Sequence, residues 1–197
     1  MSKSARNRNN RQNPLTQSGP PWGTIAFFTV IGVIVVAAIG FAGWQAFKPA
    51  EKIAGLVEKD GLERTHVETP VTYETNPPMG GPHSAIWQNC DGRVYDQPLK
   101  NENAVHALEH GAVWITYRPG LSAGDVDKLK NRVEGTDYTL LSPVQGQSSP
   151  IALTAWGKQV KVDKADDKRI GEFLKAYVKG PQTPEPGAAC SGGKDTP

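Results

Sequence analysis

The chain has 197 residues and a formal net charge of +2, from 22 Lys and Arg against 20 Asp and Glu. Five of the basic residues, Lys3, Arg6, Arg8, Arg11 and Lys48, precede Glu51, the first acid. The chain from Glu51 onward is mildly acidic and carries no basic stripe interleaved with aromatics, which argues against nucleic acid as a partner because backbone phosphates repel such a surface.

Residues 1–21, rich in Asn, Arg, Ser, Gln and Pro, read as a disordered cytoplasmic tail. Residues 22–47 read as one transmembrane helix. No charge interrupts Thr24 to Phe47, and about 20 residues at about 1.5 Å each cross a hydrocarbon core of about 30 Å. Trp22 and Trp44 lie near the two ends, where indole prefers the interface. The basic N-terminus is expected to stay in the cytoplasm, leaving a single-pass protein of the cell membrane with an extracytoplasmic C-terminal domain. A cleaved signal peptide is the alternative, but its apolar core runs about 7–15 residues. No cysteine adjoins the apolar run to take a lipid.

Residues 48–60 are expected to form a juxtamembrane stalk, with helical character over Ala50–Glu58. Residues 61–190 form the extracytoplasmic domain, and 191–197 a disordered tail. Within the domain, His66–Glu68 and Val71–Tyr73 look extended. Asn76-Pro77-Pro78-Met79-Gly80-Gly81-Pro82-His83 must be an irregular loop, because its prolines fix φ and its glycines admit positive φ. Asn101 or Asn103 can cap a helix that runs from near Glu102 through His110 to a stop at Gly111. Ala112–Tyr117 is a strand. Ser122 and Asp125 resemble a capping box ahead of a helix that turns Val126, Leu129 and Val133 inward. Tyr138–Leu141 is a strand, Ile151–Ala155 and Gln159–Val162 a hairpin, and Asp163–Lys179 the last helix. The pattern gives an α+β domain with a small, mainly antiparallel sheet and helices packed on one face.

Two cysteines, Cys90 and Cys190, both fall on the exported side, and an even count there suggests one disulfide. The alternative is two thiolate ligands, though without C-x-x-C spacing. His106 and His110 stand at i and i+4 on one helix, a spacing that lets two imidazoles share an ion. His83, from the rigid loop, is the expected third ligand. Met79 or His66 completes the set, and Glu109 supports an imidazole by hydrogen bonding rather than binding the ion. A thioether with imidazoles suits copper, particularly Cu(I); imidazoles with water suit zinc. His-x-x-Glu-His also matches a zinc-peptidase signature. The short helix stopped by Gly111 and the want of a third carboxylate ligand lean against an enzyme.

The run from Tyr73 through the Asn76–His83 loop, with Trp87, Gln88-Asn89-Cys90, Tyr95-Asp96 and Asn103 to Pro119, resembles a domain-of-unknown-function family, number 3105. The resemblance covers residues 61–190. It implies actinobacterial proteins with one N-terminal membrane anchor, in which the His83 loop and the His106/His110 helix belong to one module and His66 is a fourth nitrogen ligand. The chain departs from the family pattern at Met79 and Gly80, which favours the histidines over the methionine. Two functions from different classes fit these residues. One is a membrane-anchored metal-binding protein, with copper ahead of zinc. The other is a metal-free structural module or accessory subunit of a cell-envelope complex.

Overall fold

The computed structural model describes residues 21–46 and 52–197. The expected tail over residues 1–20, and residues 47–51, lie outside the described residues. The chain divides into two units, Met1–Glu51 and Lys52–Pro197.

In the first unit, α1 spans Trp22–Ala46. Its stretch Ile25–Trp44 has mean hydropathy 2.7 and none of it is buried. Phe27, Phe28, Val30, Val33, Val36 and Phe41 expose apolar surface around the whole helix, which is the mark of a helix made for a non-aqueous environment. It is long and apolar enough to cross a membrane, as an anchor or a signal sequence would be.

The second unit contains β1 (Val57–Glu58), β2 (Asp91–Val94), α2 (Asn101–Glu109), β3 (Val113–Tyr117), α3 (Ala123–Val133), β4 (Thr139–Pro143), β5 (Ile151–Ala155), β6 (Lys158–Val162) and α4 (Lys168–Tyr177). The six strands form one sheet in the order β1-β6-β5-β3-β4-β2. β3 and β2 both pair with β4 in parallel, whereas β3–β5, β5–β6 and β1–β6 are antiparallel. The sheet is therefore mixed rather than mainly antiparallel. The reason is that strand–helix–strand connections join parallel strands, and the chain has two of them in succession.

Those crossovers run in opposite directions along the sheet. β2–α2–β3 passes over β4, and β3–α3–β4 returns. Right-handed crossovers then require α2 and α3 on opposite faces. Burial agrees. Val113 and Ile115 pack with Leu129 and Val133 of α3 and Ile170 and Phe173 of α4. Trp114, on the other side of β3, packs with Ala104, Val105 and Leu108 of α2. Helices thus cover both faces, not one.

Several local expectations shift. Ala54 and Gly55 make a turn, and Val57–Glu58 pair with β6 where a helix is expected; Ile53 is buried in the core. The N-cap of α2 is Lys100, with no side-chain cap, and Asn103 Nδ2 instead donates to Ile86 O at 2.5 Å. The Ser122 cap of α3 is as expected, with Asp125 N donating to Ser122 Oγ at 3.1 Å. α4 begins at Lys168, behind a turn and the Asp167 cap. Cys90 and Cys190 form a disulfide across 100 residues. Where composition suggests a loose end, residues 194–196 lie along Gln88 and Asn89, with Lys194 N donating to Trp87 O at 2.8 Å and Gln88 Nε2 to Thr196 O at 3.1 Å.

Candidate metal centre

The site begins with the proline-glycine loop. Pro77 O accepts from Gln159 Nε2 at 3.1 Å, Met79 O from Gly157 N at 2.7 Å and Pro82 O from Tyr73 Oη at 2.7 Å. Gly80 and Gly81 have φ of 140° and 113°, a region that disfavours any side chain. A Cβ on Gly80 would also stand 2.8 Å from Leu62 Cδ1 and 3.3 Å from the Trp156 ring. The loop delivers His83 in a bridge to His66, in which Val67 N donates to His83 O at 2.7 Å and His83 N to Thr65 O at 3.0 Å. The chain then runs onto the start of α2, where Gln88 N donates to Asn103 O at 2.9 Å. α2 supplies His106 and Glu109 one turn apart.

Three imidazoles are oriented by backbone carbonyls. His83 Nδ1 lies 2.7 Å from Gly81 O, His106 Nδ1 2.6 Å from Ser84 O, and His110 Nδ1 2.6 Å from Ala189 O. A carbonyl can only accept, so each Nδ1 carries the proton. Nε2 is then the atom of each ring left free to meet an ion, the arrangement found where histidine binds metal. His83 Nε2 lies 2.9 Å from Glu109 Oε2, yet it has no hydrogen-bond partner among the described residues. The two groups approach without hydrogen-bond alignment in a dry setting, His83 being fully buried and Glu109 3% exposed. A nitrogen and a carboxylate oxygen this close need a proton or a metal ion between or beside them.

One donor atom from each of His66, His83, His106 and Glu109 lies within 4.8 Å of every other, a group that could hold a metal ion. The His66 ring stacks on His106 with centroids 4.9 Å apart and planes at 25°. His110 sits next to His106, centroids 4.5 Å apart, but belongs to the adjoining contact with Trp87 and with Glu185, whose Oε2 is 3.9 Å from Nε2. The pair on α2 within the group is thus His106 and Glu109 at i, i+3. Met79 is buried and is tied to the turn after β5 through its carbonyl. Glu109, expected to support an imidazole by hydrogen bonding, has its carboxylate within the group that could hold an ion. The only signal for it was its place one turn from His106 on a helix whose residues 102–109 are all buried.

Burial lowers the His106 pKa from 6.5 to about 4, with the neighbouring His110, His83 and His66 adding to the effect and the Ser84 carbonyl opposing it. The ring is neutral, and so able to donate its lone pair, at ordinary pH. His66 is the exposed member of the group. It lines a cavity of about 280 Å³ together with Glu68, Ser84, Ile86, Lys100 and Glu102.

The family model described as "Protein of unknown function (DUF3105)" matches residues 66–192. No curated protein and no solved structure matches the chain.

Proposed function

The chain belongs to the DUF3105 family, whose description carries no activity, and from its own residues we propose that it is a membrane-anchored, extracytoplasmic protein that binds one transition-metal ion. His66, His83, His106 and Glu109 are the ligands. The observation that carries this reading is the buried His83 Nε2, 2.9 Å from Glu109 Oε2 and without a hydrogen bond.

Three imidazoles and a carboxylate form a borderline-hard donor set, suited to a divalent ion. Copper as Cu(II) leads because its affinity exceeds that of its first-row neighbours at such sites, and Zn(II) is the alternative. Cu(I) is better served by softer donors than these imidazoles and carboxylate. The apolar helix α1 supports anchoring, and the Cys90–Cys190 disulfide supports an oxidising compartment outside the cytoplasm. In that topology the basic N-terminus faces the cytoplasm.

The second reading is a metal-free structural module, favoured by the same short contact if a proton bridges His83 and Glu109. Elemental analysis of the full chain purified in detergent separates the two, followed by titration with Cu(II), Zn(II) and Cu(I). About one equivalent of divalent metal, lost on Glu109→Gln, is the expected result. No metal retained, and affinity unchanged in both Glu109→Gln and His106→Ala, overturns the metal reading.

A further inference from the structure

The four ligands are not held alike. His83 and His106 are oriented by backbone carbonyls, and they and Glu109 are buried. His66 is exposed, its ring makes no hydrogen bond among the described residues, and its backbone is secured by one isolated bridge. A ring with no such tether loses little when it swings away, whereas displacing His83 or His106 also breaks a buried hydrogen bond. The space for that movement exists. The cavity beside His66, about 280 Å³, exceeds the volume of an imidazole several-fold, since a water occupies about 30 Å³ of liquid. Its wall carries Glu68 and Glu102 against the single cation Lys100, a balance that favours an approaching cation over an anion.

We propose, resting on the metal reading above, that His66 is the displaceable ligand and that this cavity is the exchange port. An incoming monodentate nitrogen donor, such as the imidazole of a partner protein's histidine, enters there and takes the coordination place of His66 while His83, His106 and Glu109 stay bound. The port is then where the ion is loaded and handed on. One metal–nitrogen bond breaks and one forms, with no change in oxidation state.

The test uses full-length chain in detergent loaded with Co(II), whose visible spectrum reports coordination. Removal of the ion by a small chelator is followed in the unaltered protein and in His66→Gly and His83→Gly. His66→Gly is expected to release the ion at least about tenfold faster, a factor at the low end of what loss of a ligand's supporting contact already costs. Added imidazole is expected to restore both spectrum and rate in His66→Gly and to leave His83→Gly unrescued, because that position has no opening. Glu68→Lys, an exposed change in the port wall that removes no ligand, is expected to slow loading several-fold at low salt with the same final occupancy, and it serves if His66→Gly does not fold. If the unaltered chain binds no Co(II), the metal reading falls and the port with it. If it binds Co(II) but imidazole rescues neither or both glycine variants, or Glu68→Lys loads at the unaltered rate, the port is overturned and the metal site stands.

Discussion

On the α3/α4 face of the sheet, Val113, Ile115, Leu129, Leu153, Ile170 and Phe173 bury aliphatic and aromatic surface against one another. On the α2 face, Trp114 and Leu108 share the interior with Glu102, Asn103, His106 and Glu109, and the Cys90–Cys190 disulfide is buried in the same cluster. The first face is held by burial of apolar area, roughly 25 cal/mol per Å². The second must satisfy each polar group individually, because an unpaired one costs about 1–3 kcal/mol. Much of this is done with main-chain partners, although His83 Nε2 is left without one: Glu102 Oε1 accepts from Val71 N, and the last carbonyls of α2 and the glycine after it accept from Lys179, Glu185 and Gly187. The lesson is a division of labour. One face supplies stability from apolar burial, and the other holds the candidate site, whose order depends on distant segments.

The largest expected effect strikes the second face. Replacing both cysteines by serine opens a closure of 100 residues, for which loop entropy gives about 4.7 kcal/mol. It also loosens the tail whose Ala189 carbonyl holds His110. Urea unfolding measures the loss. If metal binding survives the replacement intact, the tail is not part of the site's support.

Phe173→Ala is next, at about 3–5 kcal/mol for a fully buried ring. Its effect should be the same with and without metal, and a metal-dependent difference breaks the comparison.

Glu109→Gln keeps the shape of the side chain. It is expected to weaken divalent metal by about 10–100-fold in calorimetric titration, with much less change in metal-free stability than Phe173→Ala produces.

For metal-free protein, pH sharpens the contrast. His106 takes up its proton near pH 4 when folded and near 6.5 when unfolded. The unfolded chain therefore binds the proton first as pH falls. The contribution is complete above about 6.5, declines down to about 4 and changes no further below. Denaturation midpoints across that window should slope less in His106→Gln than in the unaltered chain, and parallel slopes contradict it.

The smallest effect is Ser122→Ala, about 1 kcal/mol from losing the α3 cap, with metal affinity unchanged.

The strands Val113–Tyr117, Thr139–Pro143 and the β5–β6 hairpin were legible because β-branched and apolar residues crowd them. β2 was not, since Asp91-Gly92-Arg93-Val94 has neither alternation nor propensity and is defined by its neighbour β4. Without β2 the second parallel crossover is invisible, and with it the reason for helices on both faces. In the site, His83 and His106 were legible as a loop and helix that meet. The place of His110 was not, because i, i+4 spacing fixes a helix face but not which side of that face the loop approaches. The His83 loop comes down over His106 and Glu109, while the C-terminal segment claims His110. Nor does any local pattern announce that residues 194–196 lie along Gln88 and Asn89.

The carbonyls that set the imidazole rings belong to Gly81, Ser84 and Ala189, and a carbonyl is present whatever side chain its residue bears. Point substitution can delete a ring but cannot delete the group that aims it. Sequence change at Ser84 or Ala189 is thus buffered, while Gly81, whose φ of 113° lets the loop turn, is not. For anyone wishing to re-tool the centre, the frame at position 106 is open to another N–H donor such as an amide, whereas a carboxylate or thiolate there has no hydrogen to give the Ser84 carbonyl.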